Sequence, residues 1–316
     1  MEKDIVEDYK YPIHKDFEKL ISIKIPLENE FFVFITQQLL GLLWNGRKGD
    51  KDCTAKKINI PFGKKRLRAI VYEPTNIKEN TPCLVYYHGG GFVIPAAQHH
   101  YNAAKTYATR LGCKVVFVDY PLAPANKYPI PVDACYAAYC WTVNHAEKLG
   151  INPNKVAVGG DSAGGNLSSA VCIKAYDNKF KMPCAQLLIY PASGSRELTE
   201  SMKKYTDTPM CNSKDYNKYI KYYFGKGDYT QYRYASPVVS ESYNIFPATY
   251  IETAEFDCLR DEALMFAENL LNAGVNTVVH NTFATVHGYD IIEDSSITKD
   301  SMNKRVEFLK KQFEKV

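Results

Sequence analysis

The chain has 316 residues, 46% hydrophobic and 23% charged, and a net charge of +4 from 39 basic and 35 acidic side chains. That length and balance fit one large globular domain and exclude disorder or a fibrous architecture. Lys and Arg are spread along the chain without a dense run, which excludes nucleic acid as a partner.

The opening stretch, Met1-Glu2-Lys3-Asp4-Ile5-Val6-Glu7-Asp8, is acidic and polar where a secretory leader is basic and then apolar, so the expected location is the cytoplasm. The greasiest window, Glu30 to Trp44, is interrupted by Thr36, Gln37 and Gln38 and is too short to span a bilayer; no stable membrane anchor is expected. Nine cysteines, an odd number with no Cys-x-x-Cys pair, predict reduced, mostly buried thiols rather than a disulfide framework or a zinc site.

From about Lys56 onward, short apolar runs alternate with helix-length amphipathic segments, the pattern of a mostly parallel sheet covered on both faces. The predicted strands are Ile58–Pro61, Ala69–Tyr72, Cys83–Tyr87, Val115–Val118, Val156–Val158, Gln186–Tyr190, Thr249–Glu252 and Thr277–Asn281, eight in all and rich in Val, Ile and Tyr. Helices are expected over Asp261 to Ala273, stopped by Gly274, and near the end of the chain. There Met302, Val306, Leu309 and Phe313 share one face and the other positions are largely Lys, Arg and Glu. Two regions break the alternation, residues 1–50 and about 193–243; both are read as cap, flanking or inserted into a catalytic domain over 51–316. The inserted region holds nine of the 24 tyrosines, at 205, 216, 219, 222, 223, 229, 232, 234 and 243. Amphipathic packing accounts for most of them, and some can line a substrate pocket.

Val156 to Val158 run into Gly160-Asp161-Ser162-Ala163-Gly164 and then a helical stretch, the strand-turn-helix context of a nucleophile elbow. A strained residue at the tip of so tight a turn leaves no room for side chains two positions away, which explains Gly160 and Gly164, with Asp161 as a supporting neighbour. Ser162 is the candidate nucleophile. The Ala163 N–H opens the following helix, where unpaired donors and the dipole favour developing negative charge.

Directly after the strand Cys83–Tyr87 comes His88-Gly89-Gly90-Gly91. Amides can point into a cavity only where no side chain blocks the way, so Gly90 and Gly91 are candidate oxyanion donors, with Gly89 as a supporting turn residue. No Lys-Ser/Thr follows the glycines, which excludes a P-loop. His88 is read as structural, holding the loop.

Where the elbow serine leads, the acid and then the histidine follow along the chain, on loops after late strands. Asp257 follows the strand Thr249–Glu252, whereas Asp261 and Glu262 read as the first turn of the next helix. Of the two later histidines, His280 lies within a strand pattern and His287 in a loop beside a glycine, so His287 is the candidate base.

Taken with Asp119-Tyr120-Pro121-Leu122-Ala123-Pro124 and Asp257-Cys258-Leu259-Arg260-Asp261-Glu262, these motifs resemble the hormone-sensitive-lipase-like esterases of the α/β-hydrolase superfamily over about residues 56–316. The resemblance implies an α/β-hydrolase fold with a helical cap, an oxyanion hole at Gly90, Gly91 and Ala163, and a small ester as substrate. It favours short, acetyl-type acyl groups. The chain departs from the family pattern at Pro121, Ala125 and Cys258, where Arg, Glu and Pro are usual. No metal or cofactor is needed for acyl transfer to water. A non-catalytic ligand-binding protein and a peptidase or amidase are the competing readings, and nothing in the sequence specifies an oligomeric state.

Overall fold

The structure, a computed structural model, describes residues 4–43, 48–194, 198–225 and 232–315. Trp44 and Tyr229, named above, lie outside the described residues. A single eight-stranded sheet runs in the order β1-β2-β4-β3-β5-β6-β7-β8. Its strands are β1 (Cys53–Phe62), β2 (Lys65–Pro74), β3 (Thr81–Tyr87), β4 (Lys114–Asp119), β5 (Ile151–Asp161), β6 (Ala185–Ile189), β7 (Ala248–Phe256) and β8 (Thr277–Val286). β2 is antiparallel to both β1 and β4, and every other pair is parallel. Each predicted strand has its counterpart. β6 ends one residue early, because Tyr190 turns into positive φ (33°), although its N–H still donates to the Glu252 carbonyl of β7 (2.7 Å).

Helices α1 (Glu30–Leu43), α2 (Gln98–Leu111), α3 (Ile130–Asn144), α4 (Ala146–Leu149), α5 (Ala163–Asp177), α6 (Glu200–Lys204), α7 (Ser213–Phe224), α8 (Arg260–Asn272) and α9 (Ser296–Lys315) complete the described architecture. Pleating divides the core in two. Along β3, Cys83, Val85 and Tyr87 point to one face and pack with residues of α3, α5 and α8. Leu84 and Tyr86 point to the other, with residues of α2, α9 and the N-terminal segment around Ile13 and Phe17. Strands buried on both faces need no polar alternation, which is why they read as continuous apolar runs. Among the described residues, no helix is long and apolar enough to cross a membrane.

Strand register positions the chemistry. β3 and β5 are parallel neighbours with Tyr87 beside Gly160, so the glycine loop after β3 and the turn after β5 emerge side by side. β7 and β8 pair with Phe256 beside Val286, so Asp257 and His287 leave the sheet together. All four segments exit at the carboxyl ends of parallel strands, where ligands collect in open α/β sheets.

α9 presents Val306, Leu309 and Phe313 to the core as the periodicity predicts. Arg305 departs from that prediction: it is only 1% exposed, not on the wet face. It forms a buried ion pair with Glu252 of β7, and its Nη1 donates to Asp290 Oδ2 at 2.8 Å. The attraction of a fully buried carboxylate brings a cation inward from a face otherwise made of Lys and Glu.

Candidate active site

Ser162 occupies the turn between β5 and α5 with φ 53° and ψ −117°, a conformation non-glycine residues rarely adopt. The turn is clamped on both sides: Ser162 N–H donates to the Ile189 carbonyl (2.8 Å), and its own carbonyl accepts from Ala192 N (3.1 Å) and Asn166 N (3.2 Å). A Cβ at Gly160 would come within 2.2 Å of the Tyr87 carbonyl oxygen, and one at Gly164 within 1.9 Å of the same atom. These glycines let the elbow sit against the end of β3. Because the clash at Gly164 is with backbone, which cannot rotate away, Gly164→Ala is expected to destabilise the fold by about 1–3 kcal/mol or more. A urea unfolding midpoint compared with wild type checks this.

The Ser162 Oγ lies 2.9 Å from His287 Nε2, and His287 Nδ1 lies 2.7 Å from Asp257 Oδ2. Asp257 is fully buried, its second oxygen accepting from Leu259 N–H at 2.9 Å. Burial alone would lower the His287 pKa, but the Asp257 carboxylate outweighs it and raises the value to about 9. Thus β5, β7 and β8 each deliver one member of a continuous Ser-His-Asp relay. His280, passed over as base, sits half-buried within β8 with Nε2 3.3 Å from Ser301 Oγ.

The loop after β3 closes one wall. Gly90 (φ 112°) and Gly91 (φ 60°) have backbone conformations that side chains resist. A Cβ on Gly91 would lie 2.4 Å from the Tyr219 ring, and one on Gly90 2.4 Å from the Ile94 carbonyl oxygen. Gly90, Gly91 and Ala163 all line the same cavity as Ser162 and His287, of about 410 Å³. His88 stacks on Tyr120 with ring centres 4.4 Å apart, its Nδ1 donates to the Gly89 carbonyl (2.6 Å), and its carbonyl accepts from Tyr120 Oη (2.8 Å). Burial and the neighbouring His100 push its pKa down to about 4, so it is neutral at ordinary pH.

Gly89 admits a carboxylate: a Cβ there would fall 2.0 Å from Asp161 Oδ2. Asp161 accepts from Tyr86 Oη (2.8 Å) and from His100 Nε2 (3.1 Å), while His100 Nδ1 takes the Ala97 N–H (2.8 Å). Burial would raise the Asp161 pKa, but His100 outweighs it and holds the carboxyl well below the usual range. His100 and its anchoring of Asp161 are invisible in the sequence, since α2 contributes it from far along the chain.

Tyr190 is a second residue that the sequence does not single out. Its ring packs on the His287 imidazole with centres 4.7 Å apart, and its hydroxyl donates to Asp290 Oδ1 at 2.5 Å. Through Asp290 it reaches Arg305 and Glu252, so a buried polar chain backs the base.

Over the cavity, α1 is fixed by Gln37 Nε2, which donates to the Val93 (2.7 Å) and Ala123 (2.8 Å) carbonyls. From the inserted region, Tyr216 and Tyr219 of α7 line the cavity, whereas Tyr205 and Tyr223 are buried in packing. The neck of that insertion is held by α8. Glu262 accepts from Ser193 N (2.6 Å) and Gly194 N (3.2 Å), and Asp261 accepts from Ser201 N (2.7 Å). Both carboxylates do stand in the first turn of α8, as expected, and act there as ties. Asn166 Nδ2 joins the neck from below, donating to the Ala192 (2.7 Å) and Ala235 (2.9 Å) carbonyls, and Val238 N donates to the Ser193 carbonyl (3.1 Å).

Comparisons with known proteins identify the fold and the family. The family described as the alpha/beta hydrolase fold matches residues 84–291. The carboxylesterase NlhH of Mycobacterium tuberculosis is 34% identical over 222 residues, covering 69% of this chain and 70% of that protein. Among solved structures, a bacterial heroin esterase superposes with a TM-score of 0.87 at 28% identity, covering 96% of this chain and 99% of that one. The esterase of Pyrobaculum calidifontis gives 0.86 at 29% identity, with 95% and 99% covered. The chain belongs to the α/β-hydrolase-fold family, in its hormone-sensitive-lipase-like branch.

Proposed function

We propose that this protein is a carboxylesterase that hydrolyses small, uncharged, short-acyl esters through an acyl-enzyme at Ser162. The observation that carries the reading is the Ser162–His287–Asp257 relay, joined at 2.9 and 2.7 Å, opening into a cavity beside the Gly90-Gly91 loop. His287 takes the Ser162 proton as Oγ attacks the acyl carbonyl, and Asp257 holds the Nδ1–H tautomer and stabilises the imidazolium. The developing oxyanion is met by the amides of Gly90, Gly91 and Ala163. His287 then protonates the leaving alcohol, and water repeats the sequence to release the acid.

Apolar residues such as Ile25, Leu40, Phe92, Ile94 and Met210 line much of the cavity, which supports an uncharged ester. Residues 1–50 and about 193–243 serve as the cap, supported by the placement of α1 and α7 over the site. All nine cysteines are free thiols, which supports work in the reducing cytoplasm. A p-nitrophenyl series from acetate to palmitate is expected to give its highest kcat/KM at the short end; a maximum at palmitate overturns the short-acyl assignment. A rapid burst of about one p-nitrophenol per active site with the acetate identifies the acyl-enzyme.

The raised His287 pKa sets a pH dependence. The base must be neutral to accept the Ser162 proton, so kcat/KM is expected to climb from pH 7 and level off above about 9. Asp257→Asn removes the charge that raises the pKa and shifts the midpoint down. For stability the sign is opposite. Protonated His287 contributes stability that is full below the unfolded value of about 6.5 and is lost as pH rises through about 9. Parallel pH series of initial rate and urea midpoint check both.

A further inference from the structure

We infer that Cys211 and Cys258 form a dithiol site at which hydrogen peroxide closes a disulfide, fastening the cap to the loop of the triad acid and slowing the enzyme reversibly. The slowing rests on the function proposed above; the bond itself does not. The two sulfurs lie 4.0 Å apart, although the residues are far apart in the chain. Cys211, 5% exposed, is a lining residue of the cavity that holds Ser162 and His287, so a small oxidant entering that cavity reaches Cys211 before the fully buried Cys258. Cys258 is fully buried and follows Asp257 directly.

The two partners differ in freedom. The Cys258 side is pinned: Leu259 N donates to Asp257 Oδ1 (2.9 Å), Arg260 N to the Asp257 carbonyl (3.2 Å), and Ser201 Oγ to the Cys258 carbonyl (2.8 Å). Cys211 sits in the irregular segment between α6 and α7, after Met210 at φ 64°, held by local bonds from its N–H to the Pro209 carbonyl (2.7 Å) and from Thr208 Oγ1 to its own carbonyl (2.8 Å). A disulfide needs the sulfurs at about 2.05 Å, a closure that side-chain rotation shares with a shift of the less pinned Cys211 segment. It leads directly into α7, whose Tyr216 and Tyr219 line the cavity. Bonding it to Cys258 would lock α7 down over the site and narrow substrate entry.

The chemistry balances. Cys211, as thiolate, attacks one peroxide oxygen and breaks the O–O bond, giving a sulfenic acid and hydroxide that takes up the thiol proton as water. Cys258 sulfur then attacks the sulfenic sulfur; the S–O bond breaks, and the departing hydroxide leaves as water with the Cys258 proton. Two thiols lose two electrons, and one peroxide becomes two waters.

The test treats the full-length enzyme with hydrogen peroxide, blocks remaining thiols with N-ethylmaleimide, and compares proteolytic digests before and after reduction by dithiothreitol. Turnover of p-nitrophenyl butyrate is followed in parallel. The expected result is a linked peptide pair carrying Cys211 and Cys258 and lacking two hydrogens, with at least a threefold fall in kcat/KM that dithiothreitol reverses. Cys258→Ser and, independently, Cys211→Ser should each lose the linked peptide and the reversible fall, each judged against its own untreated sample. Oxidation without that linkage overturns the site. Linkage with unchanged turnover overturns the control of activity, and so does a reversible fall that persists in both variants. A wild-type enzyme with no esterase activity at all, yet forming the linkage, would instead fail the proposed function and leave the dithiol site standing.

Discussion

Replacing Ser162 by Ala is expected to lower kcat for p-nitrophenyl acetate by on the order of 10⁶-fold, the loss found where one member of a Ser-His-Asp unit is removed. The hydroxyl is the only group removed, and its partner is His287 Nε2 at 2.9 Å, so the fold should be unaffected. His287→Ala should lose about as much, and the Ser162→Ala/His287→Ala double variant no more than either, because the groups act as one machine. Asp257→Asn should lose roughly 10⁴-fold by presenting the wrong imidazole tautomer to the serine. A residual of roughly 10³–10⁴-fold over water should survive in all of them, from the oxyanion amides and binding alone. Steady-state rates with active-site-titrated enzyme provide the measurement, and wild-type turnover by Ser162→Ala overturns the assignment.

The largest effect on stability is expected at Arg305. Truncating it to Met leaves Glu252, itself fully buried, without its cation, and strips one partner from Asp290. Breaking such a pair from one side destabilises by about 3–5 kcal/mol, because the remaining charge has neither water nor a counter-ion. The double variant Glu252→Leu/Arg305→Met should recover much of that loss. Recovery should fall short of complete, since Glu252 also accepts from Tyr250 (3.0 Å) and Tyr289 (2.6 Å), whose hydroxyls would be left without it. Urea midpoints at constant slope separate the cases. Equal destabilisation in the single and double variants would mean that the pair's charges are not what holds this region.

How far the sequence carries depends on the range of the interaction. The inner strands β3 to β7 are legible because each carries a short run buried on both faces, and the edge strands β1 and β8, largely exposed, because β-branched residues recur along them. The elbow and the glycine loop are legible for a similar reason: crowding at Gly160, Gly164 and Gly91 excludes side chains, and that leaves a mark in the residue type. Asp257 and His287 are picked out by chain order after the elbow together with their loop positions, which separate them from Asp261, Glu262 and His280. What escapes reading is polar pairing across the chain. Arg305 looks like one more cation on a wet helix face, His100 like an ordinary helix residue, and Glu262 like a complement to the helix dipole. Each is defined by a partner on another element, Glu252, Asp161 and the Ser193–Gly194 amides respectively. Hydrophobic periodicity records which side of a segment is dry, and it carries no record of a buried counter-charge.

The neck of the inserted region has a consequence in chain entropy. Its two ends are already drawn together by bonds to α8 and α5 and by the Val238–Ser193 contact, none of which involves the body of the insertion around α7. With closure secured there, lengthening the body adds only about 0.6 kcal/mol for each doubling of the loop. The segment that shapes the cavity can therefore gain length at little entropic cost, while the elbow beneath it keeps its geometry.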